Sequence, residues 1–158
     1  MIIRIVILGA IITLLSAALH AEPSECYSST FKLRDYSATT ETWSEATSFM
    51  KIAKIDNNKI QFELLQYGGN FHTCKLPGFA TKQPDGSFIF KDEINYWSEP
   101  GWELYDAPSD GGACEINFKF TEQDVTISTV NSCKGFCGAR AAFGGVMKKA
   151  QNCSEYSL

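Results

Sequence analysis

The chain has 158 residues and carries 14 Lys and Arg against 18 Asp and Glu, which gives a net charge of −4 with neutral histidines. This acidic balance argues against nucleic acid as a partner, because binding to phosphates needs clustered cations. A chain of this length buries roughly two-thirds of its unfolded surface, so it can form one domain with a real hydrophobic core.

The N-terminus has the order of segments that is typical of a secretion signal. Arg4 gives a positive start, residues 5–19 are uncharged and rich in Ile, Leu and Ala, and Ala21 offers a small residue at a cleavage point. The apolar stretch is shorter than the roughly 20 residues that a membrane-spanning helix needs. We expect residues 1–21 to be removed. Cleavage after Ala18 and a retained membrane anchor are the alternatives.

Cleavage leaves a single domain, residues 22–158, with no membrane attachment. Its net charge falls from −4 to −5 because Arg4 is lost. All six cysteines lie in this domain: Cys26, Cys74, Cys114, Cys133, Cys137 and Cys153. An even number in an exported protein predicts three disulfides and an oxidising compartment, the periplasm or the cell exterior.

Alternating apolar and polar residues predict several short strands. The clearest run is 59–64, where Ile60, Phe62 and Leu64 should face inward, and 56–58 should form a hairpin turn from the preceding segment 49–55. Further strands are predicted at 71–76, where Pro77-Gly78 should interrupt the strand, and at 87–91, 114–120 and 125–129.

These short strands, separated by turn residues, predict an all-β fold, an antiparallel barrel or sandwich stapled by disulfides. A helix is conceivable only in 42–50 or 139–146.

The strand faces leave the disulfide pairing open. Cys74 and Cys114 both fall on inward faces and could bond, in which case Cys133 would bond Cys137 across a short loop. A hairpin with Phe120 opposite Val125 instead brings Cys114 close to Cys133 and leaves Cys74 for Cys137. Both schemes let Cys26 and Cys153 tie the ends of the domain together.

The segment 91–112 is far longer than a hairpin connection needs, and such loops are typically functional or disordered. It interleaves acidic and aromatic residues, which suit encounter with a cationic partner and anchoring in a binding interface. The predicted binding residues in it are Tyr96, Trp97, Glu99, Trp102, Glu103, Tyr105 and Asp106. The alternatives are a structural cover over one end of the barrel and a platform that stacks on sugar rings.

Residues for catalysis are sparse. His72 is the only histidine after residue 21, no Gly-x-Ser-x-Gly elbow occurs, and Cys133-x-x-x-Cys137 has no second ligand pair at zinc-like spacing. We expect a structural His72, no metal, no cofactor and no enzymatic activity. A small secreted hydrolase built on two carboxylates is a lesser alternative.

The C-terminal run from Cys133 to Gly145 contains Cys-Gly-Ala-Arg-Ala-Ala-Phe-Gly-Gly, and it follows His72-Thr73-Cys74 and the strand opened by Cys114. This pattern, over roughly half of the chain, resembles small exported bacterial proteins described as lysozyme-inhibitor-like. The resemblance implies a β-rich periplasmic module that inhibits a cell-wall hydrolase. Within this run, Arg140 either hydrogen-bonds buried groups or is exposed and touches the partner.

One difference from better-defined periplasmic lysozyme inhibitors is that the chain has no Ser-Gly pair, whereas those proteins resemble one another in a Ser-Gly loop that enters the enzyme cleft. The nearest segment is Ser109-Asp110-Gly111-Gly112. The leading expectation is therefore a secreted or periplasmic binding protein, with a cationic cell-wall hydrolase such as lysozyme as its partner. A module that binds glycans or envelope components is the alternative.

Overall fold

The fold is a closed antiparallel barrel of eight β-strands, which confirms the predicted all-β class and selects the barrel over the sandwich. The computed structural model describes residues 25–35, 42–92, 113–130 and 133–156. The strands are β1 (Glu25–Asp35), β2 (Thr42–Lys54), β3 (Lys59–Tyr67), β4 (Thr73–Lys82), β5 (Phe88–Lys91), β6 (Glu115–Phe120), β7 (Asp124–Thr129) and β8 (Gly145–Ala150). Single 3-10 turns cover Gly69–Phe71 and Lys134–Phe136.

Every strand pairs with its neighbours in sequence, and β8 closes the barrel against the first residues of β1. Eight strands enclose a space that side chains can just fill, and alternate residues of each strand point into it. The largest fully buried side chains include Tyr27, Met50, Phe62, Leu64, Ile116 and Phe118. The interior is therefore the hydrophobic core, which leaves the two ends and the outer wall as candidate binding surfaces.

The strands with clean alternation are confirmed. Ile60, Phe62 and Leu64 are all buried in β3, which pairs with β2 across the predicted turn at 56–58. In that turn the Asn58 N–H donates a hydrogen bond to the Asp56 carboxylate at 2.6 Å. The hairpin of β6 and β7 has the predicted register, with Phe120 opposite Val125.

Neither segment in which a helix was conceivable forms one. Residues 42–50 belong to β2 and pair residue by residue with β1, from Thr42 opposite Asp35 to Met50 opposite Tyr27. Residues 139–146 run as irregular chain into β8, and the φ angles of +155° at Gly144 and +93° at Gly145 lie outside the helical region.

The predicted interruption at Pro77-Gly78 is also wrong, because β4 runs through both residues to Lys82. Pro77 pairs with Glu63 of β3 on one side. On the other side, β5 pairs with β4 only at Thr81 and Lys82. Among the described strands, this part of β4 is therefore an edge on the β5 side, where a proline without an N–H is tolerated.

Three disulfides join Cys26 to Cys153, Cys74 to Cys137 and Cys114 to Cys133. The scheme derived from the hairpin register is confirmed, and the bonds from Cys74 to Cys114 and from Cys133 to Cys137 are wrong. Cys74 and Cys114 both face inward, but β5 lies between their strands in the barrel. The bonds are consistent with an oxidising environment outside the cytoplasm.

None of the helical segments in the described ranges has the length and apolar character needed to cross a bilayer.

Candidate functional site

The two ends of the barrel are built differently. In an up-and-down barrel the connections alternate between ends, and the connections described at one end are tight turns, at 55–58, 83–87 and 121–123. At the other end, β1, β3, β5 and β7 end and the strands that follow them begin. We call these the turn end and the loop end.

At the loop end, the β3–β4 connection (68–72) and the segment 137–144 before β8 are fastened to each other. The Gly69 N–H donates to the Arg140 carbonyl at 2.9 Å, and the Gly138 N–H donates to the Thr73 carbonyl at 2.8 Å. The disulfide from Cys74 to Cys137 lies within the same contact. We call this contact between 68–72 and 137–144 the loop junction.

Two glycines make the close approach in the loop junction possible. A Cβ atom on Gly68 would lie 2.2 Å from the Arg140 carbonyl oxygen. A Cβ atom on Gly138 would lie 2.8 Å from Nδ1 of His72. A carbon atom this close to other heavy atoms would displace them. The loop junction therefore requires residues without a side chain at both positions.

A buried glutamine side chain holds the end of the same segment. Gln66 continues the inward face of β3 after Leu64 and is 7 % exposed. Its Nε2 donates to the Gly144 carbonyl at 2.7 Å, and its Oε1 accepts from the Gly144 N–H at 2.8 Å. Both amide groups are therefore satisfied, as buried polar groups require.

Gln66 was not among the residues predicted from the sequence. The available signal was a polar residue that falls on an otherwise apolar strand face, where a buried partner has to be supplied.

Arg140 is the one predicted site residue that lies within the described ranges apart from the cysteines. Its carbonyl is fixed by Gly69, while its side chain is exposed. Within the described part of the chain, the guanidinium makes no hydrogen bond or ion pair. The loop junction therefore presents an exposed cation on an ordered backbone, and the predicted hydrogen bonds from the Arg140 side chain to buried groups do not form among the described residues. Its contact with a partner stays a prediction.

The other predicted binding residues, Tyr96, Trp97, Glu99, Trp102, Glu103, Tyr105 and Asp106, lie outside the described residues. The anchors of their segment are described. The Asp92 N–H donates to the Cys114 carbonyl at 2.9 Å, and Cys114 is bonded to Cys133. The described residues on either side of the segment, Asp92 and Cys114, thus lie at the loop end and are joined by the disulfide to the β7–β8 connection that carries Arg140.

His72 belongs to the loop junction. Its ring is half-buried against Gly138, and its carbonyl accepts a hydrogen bond from the Gly68 N–H at 2.7 Å. These contacts give it a structural role in the junction. Among the described residues, no three His, Cys, Asp or Glu side chains lie close enough together to hold a metal ion.

Carboxylates with shifted pKa values lie at the turn end. Hydrogen bonds from Ser87 lower the pKa of Asp85, and a hydrogen bond from Thr121 lowers that of Asp124. For Glu25, burial acts to raise the pKa, but the hydrogen bond from Tyr27 and the nearby lysines together lower it. These interactions stabilise the turns and the closure of the barrel.

Comparison with known proteins gives no relative for this chain. No family model matches it, and neither the curated proteins nor the solved structures include a significant match.

Proposed function

We propose that the protein is a secreted or periplasmic binding protein that inhibits a cell-wall hydrolase such as lysozyme. The observation that carries this proposal is the fixed presentation of Arg140 at the loop end. Its carbonyl accepts the Gly69 hydrogen bond and Cys137, three residues before it, is held by a disulfide, while its guanidinium is exposed. A surface that is already ordered loses less conformational entropy on binding.

The chemistry of the partner fits this cation. Most glycoside hydrolases cleave their substrate with a pair of carboxylates that flank the scissile bond. A guanidinium matches a carboxylate in charge and can form two parallel hydrogen bonds to it. Arg140 inserted into such a cleft would occupy the catalytic carboxylates and exclude the sugar.

The overall charge also suits such a partner. The chain carries a net charge of −4, which favours encounter with a cationic enzyme. Cleavage of residues 1–21 and the three disulfides would place the protein where cell-wall hydrolases act. The acidic and aromatic residues of 91–112 would extend the contact from the same end.

The direct test is hydrolysis of cell walls by purified lysozymes of different classes in the presence of the protein. We expect inhibition at micromolar concentration. Arg140→Ala should weaken inhibition by roughly 30-fold or more, the effect of truncating a buried charge pair. Lys134→Ala is the matched control, because Lys134 is an exposed cation in the same connection, and it should change inhibition less than twofold, roughly the scale of a rim charge.

Loss of inhibition in both variants alike would point to nonspecific charge attraction, and no inhibition of any lysozyme class would reject the proposal.

A second pair of variants tests the predicted contribution of 91–112. Trp97→Ala and Trp102→Ala should weaken inhibition while the thermal unfolding midpoint stays unchanged. If inhibition stays the same and stability falls, these tryptophans are part of the structure and the loop is not the binding surface.

A further inference from the structure

The outer wall of the barrel carries a groove that the loop junction does not include. It lies between β2, the end of β3 and the C-terminal tail, and has a volume of about 430 Å³. Its main lining side chains are Glu45, Phe49, Tyr67, Phe71, Glu155 and Tyr156. We call it the aromatic groove, and its volume lies within the range of small binding sites.

The C-terminal tail forms one wall of the groove. Phe49 points out of the barrel but is 3 % exposed, because the Tyr156 ring stacks on it with centroids 5.2 Å apart. The disulfide between Cys26 and Cys153 ties the tail to β1 three residues before Tyr156. This wall is therefore held in place by a covalent bond and a ring stack.

The β3–β4 connection forms the opposite wall. Phe71 has a φ of +58°, a left-handed conformation that bulky side chains rarely adopt, and Asn70 before it has a φ of +55°. In this conformation the Phe71 ring packs edge-on against Tyr67 with centroids 6.5 Å apart. Such a strained conformation persists only where surrounding contacts stabilise it. Here Gly69, which precedes Asn70, is hydrogen-bonded to the Arg140 carbonyl in the loop junction.

The charges that line the groove are both negative. Glu45 and Glu155 are exposed, and within the described part of the chain neither carboxylate makes a hydrogen bond or an ion pair. Lys32 stands opposite Glu45 in the pairing of β1 with β2, yet it forms no ion pair with it. The Lys51 ammonium lies 5.8 Å from the centre of the Phe49 ring, which is also covered by Tyr156. The rings open to a partner are therefore those of Tyr67, Phe71 and Tyr156, which are half-buried.

Aromatic faces together with unpaired carboxylates are complementary to a cation that is also flat. Arginine fits best, because its guanidinium stacks on aromatic rings and pairs with carboxylates through two hydrogen bonds. A sugar can hydrogen-bond to the phenol groups of Tyr67 and Tyr156, but it is uncharged and would leave both carboxylates without a counter-charge. Thr47, another lining residue, already shares its hydroxyl with Thr30 at 2.8 Å.

We propose that the aromatic groove binds an arginine side chain of a basic protein partner. This inference rests on the proposed binding function and adds to it a second contact of opposite charge. At the loop end the protein offers Arg140 to acidic groups of the partner, and at the groove it accepts a cation from the partner's surface. The β3–β4 connection belongs to both sites.

The test is nuclear magnetic resonance titration of the full chain, without any hydrolase, with a capped Gly-Arg-Gly peptide. We expect shifts of the backbone amides of Tyr67, Phe71 and Tyr156. The same peptide with citrulline in place of arginine has almost the same shape and no charge, and it should leave these amides unshifted. An oligomer of N-acetylglucosamine tests the alternative ligand class.

Two charge variants complete the test. Glu45→Gln combined with Glu155→Gln keeps the shape of the groove and should raise the apparent Kd for the arginine peptide about fivefold. Glu122→Gln is the matched control, since Glu122 is an exposed acid in the β6–β7 turn at the turn end, and it should leave the Kd unchanged. Tyr156→Ala should also weaken binding, because it removes one wall.

The inference is overturned if citrulline shifts the same amides as strongly, if the double variant binds like the control, or if only the sugar oligomer binds. These results are independent of lysozyme turnover. Arginine binding without inhibition would reject the proposed function alone, and inhibition without arginine binding would reject the groove alone.

Discussion

Replacing Gly68 with alanine should destabilise the fold by about 2–3 kcal/mol. The φ of −119° at Gly68 suits any residue, so the change tests the steric contact alone. The new methyl group would lie 2.2 Å from the Arg140 carbonyl oxygen, which belongs to the backbone and can give way only if residues 137–144 shift. Overpacking of this kind costs roughly 1–3 kcal/mol.

Two further effects change the free energy of unfolding of this variant. A shift that breaks the hydrogen bond from Gly69 to Arg140 adds about 1 kcal/mol. The lower entropy of the unfolded alanine variant offsets roughly 0.4–1 kcal/mol. For a domain of this size, the net change corresponds to a fall in Tm of about 10 °C.

Urea unfolding and a thermal scan of Gly68→Ala measure this effect, and Gly69→Ala is the control. A Cβ atom on Gly69 would lie 3.7 Å from the Arg140 Cβ, an ordinary contact, and alanine keeps the N–H that bonds the Arg140 carbonyl. We expect the control to change stability by less than about 0.5 kcal/mol. If Gly68→Ala is as stable as the parent, or if both variants lose the same stability, the close packing of the loop junction is refuted.

Three further changes in stability are expected. Gln66→Leu should cost about 2 kcal/mol in urea unfolding, because it leaves both amide groups of Gly144 without their partner. The pKa values of Asp85 and Asp124 are lowered in the folded state, so the unfolded state takes up protons first. The free energy of unfolding should therefore fall as the pH drops through the folded pKa values. Asp124→Asn should make this fall at acid pH less steep. Burial, and after it the hydrogen bond to Glu25, raises the pKa of Tyr27 in the folded state. The stabilisation that the protonated phenol gives should therefore be complete below the pKa of about 10 in the unfolded state and be lost as the pH rises through the folded value. Tyr27→Phe should reduce this loss of stability at alkaline pH.

Strands that bury one face completely could be predicted from the sequence. Ile60, Phe62 and Leu64 alternate with polar residues because one side of β3 faces the core and the other does not. The same alternation fixed the register of the hairpin of β6 and β7, and with it the proximity of Cys114 to Cys133.

Strands without that contrast could not be predicted. Only Met147 is buried in β8, and Val146 beside it is 50 % exposed, so the apolar pattern has no period of two. The first part of β2 pairs with β1 but not with β3, whose pairing begins at Phe49, and it therefore has two partly exposed faces. These segments are strands because their backbone N–H and C=O groups hydrogen-bond to neighbouring strands. That pairing follows from the closed barrel and not from the local sequence.

The sequence indicated which residues belong to the candidate site, but not which of them would be in contact. Arg140 stood out beside the glycines and Cys137, yet nothing local indicated that its carbonyl would meet the Gly69 N–H. That contact joins segments some 70 residues apart in sequence, which the disulfide between Cys74 and Cys137 also links.

The β3–β4 connection links the two proposed contacts, because its residues face both of them. Gly69 bonds the Arg140 carbonyl on one side, and Phe71 forms the groove wall on the other. Only Asn70 lies between them, and both Asn70 and Phe71 are in left-handed conformations that leave little freedom to adjust. A displacement of the loop junction should therefore move the Phe71 ring relative to Tyr67. Gly68→Ala should weaken lysozyme inhibition and arginine binding together, whereas Arg140→Ala should weaken inhibition only, because it removes a side chain and leaves the connection in place.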